Sequence, residues 1–347
     1  MQVDVASLQP ASSDASFRRY FRAQLAAQQA AQMTHNTHAP PAASHGAGTC
    51  IVMDAPPPQE NIGPFLQVDA LLRAGGLSAP QVLASDAEQG FILLSDLGNT
   101  TYLQALQAAR AAGDAQRCHA LMLDATCALV RLQAIAAPAL PAYDATRLRT
   151  ELDLFPHWYV AQHLGATLDA DEQAGLQQVF DALLANNLAQ PQVLVHRDFH
   201  SRNLMLLGAG QEQGNPGVLD FQDAVIGPIT YDLASLLRDA YIAWPEEQQL
   251  DWAIRYWERA RKAGLPVDAD FSVFYRDFEW MGLQRHLKVL GIFARLWHRD
   301  GKAQYLDDLP MVLAYTRATA ARYHDLNPLV RLLDRLQGVP KRTAYTF

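Results

Sequence analysis

Lysine is scarce in this chain and unevenly placed. The 347 residues include 4 lysines against 24 arginines, and no lysine precedes Lys262. Cysteine is sparser still. Cys50, Cys118 and Cys127 form no C-x-x-C pair, which argues against a disulfide framework and fits a reducing compartment. No uncharged apolar stretch approaches the length needed to cross a bilayer. The opening MQVDVASLQPASSDASFRRY lacks the basic start and apolar run of a signal peptide. Positive charge is short overall: Lys+Arg is 28 and Asp+Glu is 36, a formal net charge of −8 with a pI near 5.7. That balance argues against nucleic-acid and membrane partners. What the chain does have is apolar mass. Half its residues are hydrophobic and 18% are charged, enough for a true core. Its length suits about two domains. The expectation is an acidic cytoplasmic protein, with a monomer favoured.

The order of elements follows from pattern. Residues 12–16 are small and turn-prone, and FRRYFR (17–22) reads as an amphipathic strand. Residues 23–48 are Ala, Gln, His and Pro with almost no large apolar residue, so they read as an exposed, mobile insertion. His35, His38 and His45 lie in it at irregular spacing and suggest no metal site. CIVMD (50–54) predicts a strand, stopped by the prolines that follow it. A helix is expected over 61–74, ended by Gly75 and Gly76. QVLASD (81–86) and GFILLSDL (90–97) read as two strands. Helices are then expected over 101–135, broken near Gly113 and Asp114, and over 147–164 and 171–188. QVLVHRDF (192–199) is a strand entering a loop. NLMLL and VLDF are short strands joined by a Gly-rich turn. Helices follow over 231–243, 246–263, 271–298, 308–323 and 326–337. Strands dominate the first hundred residues and helices the rest. The pattern predicts an α+β fold, with a small sheet domain (1–96), a larger helical domain (97–347) and a ligand cleft between them.

The chemistry concentrates in one stretch. Residues 196–203 read His-Arg-Asp-Phe-His-Ser-Arg-Asn, the H-R-D-x-x-x-x-N pattern of the kinase catalytic loop. Seventeen positions after Asn203 stands Asp220, in Leu-Asp-Phe-Gln-Asp. Phosphoryl transfer needs a carboxylate to accept or orient the acceptor's hydroxyl proton, and hard oxygen ligands for the Mg²⁺ that bridges the ATP phosphates. Asp198 suits the first role. Asn203 and Asp220 suit the second, and the two short strands between them would fold back to bring them together. The cofactors expected are therefore ATP and Mg²⁺. His196 and His200 are four apart but lack the context of a zinc site.

On these motifs the chain resembles the aminoglycoside phosphotransferase (choline kinase-like) family, which shares the protein-kinase fold. Within it, SDASFRRYFR (13–22), IVMDAPPPQE (51–60), LLSDLGNTTYL (93–103), ELDLFPHWYV (151–160) and WMGLQRHLKVLGIFARL (280–296) are most similar to the anomeric amino-sugar kinases of cell-wall recycling. The resemblance implies a two-lobe fold with a small antiparallel β-rich N-lobe and a larger, mainly helical C-lobe. It implies ATP-dependent phosphorylation of the C1 hydroxyl of N-acetylmuramate and N-acetylglucosamine. The partners are then ATP and a small-molecule amino sugar. An anomeric hydroxyl is more acidic than an ordinary alcohol, so Asp198 is an adequate base.

The resemblance also implies that residues 12–16, with Ser13, Asp14 and Ser16, form the nucleotide loop between the first two strands. Asp96 and Leu97 become the hinge that offers backbone groups to adenine. Arg202 could neutralise charge on the phosphoryl group, and Asp223 could bind metal or sugar. Glu151 and Trp158 could bind sugar through a carboxylate and an aromatic face, although an amphipathic helix with Leu152, Phe155 and Tyr159 in a core explains the same stretch. Arg285, His286 and Lys288 make a cationic cluster open to the same two readings.

One departure stands out. Kinases place a lysine on the third strand to hold the α/β-phosphates, and here that strand has none. The phosphates would be held by Mg²⁺, by backbone N–H groups of the 12–16 loop, or by arginine: Arg18, Arg19, Arg22 or Arg73, with Arg18 and Arg19 of FRRYFR best placed. The rival readings are another small-molecule kinase, for an aminoglycoside, choline or homoserine, and a nucleotide-binding scaffold without turnover.

Overall fold

The computed structural model describes residues 3–13, 17–25, 48–208 and 214–339. They fall into two compact units, Met1–Ala137 with His196–Ala224, and Pro138–Val195 with Val225–Phe347.

The first unit is built on a five-stranded antiparallel sheet of order β1-β2-β3-β5-β4. Its strands are β1 (Val3–Ser13), β2 (Arg19–Leu25), β3 (Thr49–Asp54), β4 (Val82–Asp86) and β5 (Phe91–Ser95). Strands β2, β3 and β5 carry the buried face, with Ala23, Leu25, Cys50, Met53, Ile92 and Leu94 all buried. β1 is an exposed edge strand with two register shifts against β2, and its sequence shows no apolar alternation. It runs to Ser13, so the expected 12–16 loop starts later, and residues 14–16 lie outside the described residues. The expected 23–48 insertion also starts too early. Residues 23–25 complete β2, with Ala23 and Leu25 in the core, and residues 26–47 lie outside the described residues.

Three helices belong to the same unit. Helix α1 (Gly63–Ala74) opens with Pro64, whose missing N–H costs nothing there. Helix α2 (Tyr102–Ala111) opens on a capping box between Thr101 and Gln104. Helix α3 (Ala115–Gln133) is capped by Asp114, which accepts the Arg117 N–H, so the break predicted at 113–114 is where one helix ends and the next begins.

The second unit is mainly helical. It contains α4 (Ala145–Leu152), a π-helix (Phe155–His163), α5 (Ala170–Ala189), α6 (Tyr231–Leu237), α7 (Glu246–Lys262), α8 (Phe271–Asp300), α9 (Leu309–Ala320) and α10 (Asn327–Leu336). The single helix expected over 147–164 is two. Pro156 cannot donate to the ladder, and the chain resumes with wider spacing, the Leu164 N–H reaching the Tyr159 carbonyl at 3.0 Å. The helix expected over 231–243 stops at Leu237. Arg238 leaves the helical conformation, and the Asp239 carboxylate accepts the Tyr241 N–H, a local bond that competes with the helix. Strand β6 (Gln192–Val195) pairs antiparallel with β9 (Val225–Pro228), ending at the pair Val195↔Val225. Sequence pattern gave no sign of β9. The 196–224 segment therefore leaves and re-enters at paired residues. Within it, β7 (Leu204–Met205) and β8 (Gly217–Val218) form the expected hairpin with shorter strands than NLMLL and VLDF suggest.

Candidate active site

The motif residues of 196–224 are drawn together by the backbone itself. The His200 N–H donates to the Asp198 carbonyl, the Asn203 N–H to the His200 carbonyl, and the Leu219 N–H to the Asn203 carbonyl, at 2.9–3.0 Å. The loop is thus a series of tight turns that hands over directly to the returning strand. From outside, the Leu103 N–H of α2 donates to the Ser201 carbonyl at 2.9 Å, and Phe199 is fully buried beneath the loop.

Asn203 ties the site together. Its Nδ2 donates to the Asp198 carbonyl at 3.1 Å and to Asp220 Oδ2 at 3.2 Å. The hairpin does what the 17-residue spacing predicts. Both donors of the amide are engaged, which assigns its oxygen as the acceptor left for other chemistry. Gln222 Nε2 donates to Asp220 Oδ1 at 3.0 Å and reaches Asp223 Oδ2 at 3.5 Å. Two residues sit in the left-handed region, Arg197 with φ 78° and Asp220 with φ 63°. Non-glycine residues rarely adopt it, and when they do they cluster at functional sites. Phe221 is fully buried and packs on Phe65 of α1, ring centroids 4.7 Å apart, which fixes the segment on which Asp220 rides. His196 is buried, and burial pushes its imidazole down to about 4. Its Nδ1 accepts the Asp198 N–H at 3.2 Å, so the imidazole braces the loop backbone.

The donor set suits magnesium. Mg²⁺ keeps several waters and takes one or two protein oxygens plus substrate phosphates, not a dedicated cage. One amide oxygen and one carboxylate, on Asn203 and Asp220, are ligands of that kind. No group of three or more His, Cys, Asp or Glu able to hold a metal occurs among the described residues.

The sheet brings its own charges. Arg18 lies 4.0 Å from Asp220 Oδ1 through Nη2 and 4.0 Å from Glu60 Oε2 through Nε. Arg19 is paired instead with Asp54 of β3. Arg22 forms a two-pronged ion pair with Asp96 at 2.6 and 2.9 Å and also donates to the Gly98 carbonyl. The Asp96 side chain therefore clamps β2 to the segment after β5. Burial would raise its carboxyl, but Arg22, the Gly98 N–H and the Thr49 hydroxyl hold it below the usual carboxylate value. Arg73 is exposed at the end of α1. Leu97, with Leu77, Ser78, Ala79, Leu207 and Arg73, borders a cavity of about 430 Å³.

The remaining expected residues are spread. Arg202 and Asp223 are exposed on the 196–224 segment. Ser13 ends β1, and Asp14 and Ser16 lie outside the described residues. Glu151 and Trp158 belong to the second unit. Glu151 is buried, ion-paired with Lys288 at 3.0 Å and hydrogen-bonded by the Tyr143 hydroxyl. Lys288 also donates to the Tyr231 hydroxyl at 3.0 Å. Trp158 is half-buried on the π-helix. Arg285 and His286 are buried too. Two residues of the site escaped the sequence reading, Glu60 and Gln222. Gln222 was legible as the third letter of Asp-Phe-Gln-Asp. Nothing in the sequence links Glu60 to a residue 160 positions away.

Residues 7–268 match the model of the Phosphotransferase enzyme family. The chain is 48% identical over 340 residues to the N-acetylmuramate/N-acetylglucosamine kinase of Neisseria meningitidis serogroup B, covering 97% of this chain and 93% of that one. It is 46% identical over 339 residues to the protein of the same name from Pseudomonas putida, covering 97% and 90%. Among solved structures it is similar to an ADP-bound aminoglycoside phosphotransferase (TM-score 0.53, 15% identity, 89% of this chain and 92% of that one). It is also similar to a Plasmodium vivax ethanolamine kinase (TM-score 0.57, 11% identity, 91% and 83%). These two likenesses carry the fold, the expected protein-kinase-like α+β architecture with an antiparallel sheet in its small lobe and mainly helices in its larger one.

Proposed function

The chain belongs to the phosphotransferase enzyme family, and on that premise we propose that it transfers the γ-phosphoryl group of ATP to the C1 hydroxyl of N-acetylmuramate and N-acetylglucosamine, yielding ADP and the α-1-phosphate. The substrate class is supported by the names of relatives that are 46% and 48% identical over nearly the whole chain. The anomeric position, and a place in peptidoglycan recycling, are part of the proposal. The observation that carries the phosphotransfer is the knot in which one amide, Asn203, bonds both the Asp198 backbone and the Asp220 carboxylate.

In this reading residues 1–96 serve the nucleotide and residues 97–347 carry catalysis and sugar binding. Asp198 takes the proton of the anomeric hydroxyl as its oxygen attacks phosphorus. The tight turns of 196–203 hold that carboxylate in place, so little orientation is left to be lost in the transition state. Asn203 and Asp220 hold Mg²⁺, which supplies charge neutralisation on the phosphate oxygens. Ser13, Asp14 and Ser16, an arginine at the start of β2, and the Asp96–Leu97 backbone contact the nucleotide. The Arg22–Asp96 clamp fixes that hinge backbone to the sheet. Glu151, held by Lys288 and Tyr143, receives sugar hydroxyls, and Trp158 offers an aromatic face. Arg202 and Asp223 are exposed on the catalytic segment, where they can meet incoming substrate.

The test is ATP consumption over a panel of N-acetylmuramate, N-acetylglucosamine, their 1-O-methyl glycosides, aminoglycosides, choline and homoserine. Turnover of the free sugars and not the glycosides is expected, with an α-1-phosphate seen by phosphorus NMR. Turnover of the glycosides would defeat C1 as the acceptor. Turnover of choline, homoserine or aminoglycosides alone would defeat the sugar.

A further inference from the structure

A kinase site needs a cation at the nucleotide's phosphates, and this chain has no lysine in its first 261 residues to supply one. Strand β3 carries no lysine, and its last residue, Asp54, is paired with Arg19. Arg22 is committed to Asp96 and the Gly98 carbonyl. Arg18 is placed differently. Its side chain is only 10% exposed, and it stands 4.0 Å from the carboxylate of Asp220, the residue assigned to the metal. That separation exceeds a charge-assisted hydrogen bond of about 2.8 Å. The guanidinium thus lies beside the metal ligand at the outer edge of ion-pair distance.

Glu60 flanks Arg18 on the other side. One carboxylate oxygen accepts the Phe17 N–H at 3.2 Å, and the other lies 4.0 Å from Arg18 Nε. One acid therefore accepts from the Phe17 backbone and lies beside the guanidinium of the next residue, at the point where the chain enters β2. In protein kinases a strand lysine contacts the phosphates and a helix glutamate positions the lysine. Here the same charge pattern, acid–cation–metal acid, is assembled from Glu60, Arg18 and Asp220 with different chain connections.

We propose that Arg18 binds the phosphates of the nucleotide beside the metal on Asp220, and that Glu60 is the positioning residue that aims it. The proposal rests on the kinase reading above but not on the identity of the sugar. Its test is calorimetric binding of ADP with Mg²⁺, and of adenosine, to the full chain without sugar. Arg18→Ala should weaken ADP by about tenfold or more, the scale of a lost hydrogen bond to a charged group, and leave adenosine within twofold. Arg18→Lys should recover most of the loss. Glu60→Gln should weaken ADP less than Arg18→Ala does, and should have no further effect once Arg18 is already alanine. Should Arg18→Ala melt early, Arg18→Gln removes the charge while keeping most of the bulk. ADP bound equally well by wild type and by the charge-removing variant overturns the proposal. So does a Glu60→Gln effect undiminished in the Arg18→Ala background, because that marks a merely structural acid. A wild-type chain that binds no ADP overturns the kinase reading along with it.

Discussion

At the scale of single residues, two carboxyl groups illustrate opposite uses of burial. Asp198 is half-buried in a loop whose every turn is hydrogen-bonded, so Asp198→Asn should leave the loop intact and remove only the proton acceptor. Single-turnover and steady-state assays should show kcat lower by roughly 10²–10⁴ with ADP affinity unchanged. A loss confined to KM would mean that Asp198 binds substrate and does not take its proton. Asp69 is buried on α1, and burial raises its carboxyl to about 6, with Arg73 drawing it partly back. The native state then keeps a proton that the unfolded chain releases near pH 3.8. Stability therefore falls as pH rises through that window, and the penalty is complete above pH 6. Asp69→Asn cannot titrate. Its stability relative to wild type, followed by urea denaturation, should improve by roughly 2–3 kcal/mol between pH 4 and pH 7. A flat difference would show that Asp69 is solvated in the native state. Asp198, Asn203 and Asp220, the three residues assigned here to catalysis and metal, were legible in sequence because that chemistry would fix residue types at fixed spacing. Arg18, Glu60 and Asp220 meet only through folding, so the sequence could offer Arg18 as one of four arginines and Glu60 not at all.

Elements were legible where local chemistry and packing agree. Helices α2 and α3 separate at Gly113 and Asp114 because a glycine ends one and an aspartate caps the next. The sequence misled where packing overrules period. The 147–164 stretch keeps an apolar face throughout but splits at Pro156, and α8 accommodates the result by bringing Gly291 against Leu154. A Cβ on Gly291 would lie 2.5 Å from the Leu154 carbonyl carbon, backbone that cannot swing aside. Gly291→Ala should cost about 1–3 kcal/mol in chemical denaturation by overpacking, although alanine favours helix. A stabilised variant would show that the π-helix yields freely. A second element-scale device closes the same unit. Arg238 of the shortened α6 segment donates to Glu279 of α8 at 2.8 Å, to Thr319 of α9 at 2.9 Å and to Gln249 of α7 at 3.2 Å. Arg322 joins at Glu279 Oε1, 2.6 Å away. Glu279→Gln would leave two guanidinium groups facing a neutral amide, one of them fully enclosed. The expected cost is about 3–5 kcal/mol, read from the denaturation midpoint at constant slope.

Across the whole molecule, the consequential feature is where the chain crosses between its units. It leaves the second unit at Val195, contributes the 29 residues 196–224 to the first, and returns at Val225, the residue paired with Val195. All the groups assigned to the metal and the phosphates therefore lie in the first unit, with the sheet. A ligand that binds only the folded form stabilises it by RT ln(1 + [L]/Kd), about 2.7 kcal/mol at a hundredfold excess over Kd. Melting curves should accordingly rise with the logarithm of ADP concentration when Mg²⁺ is present. Asp198→Asn should show the same rise as wild type, because its carboxylate is assigned to the acceptor's proton and not to the nucleotide. Asp220→Asn should lose most of the difference between curves taken with Mg²⁺ and with EDTA, because the carboxylate assigned to the ion has become an amide. The three curves separate binding from chemistry on the intact chain. An Asp220→Asn protein whose ADP-induced shift still depends fully on Mg²⁺ would place the ion on other ligands and dissolve the assigned site.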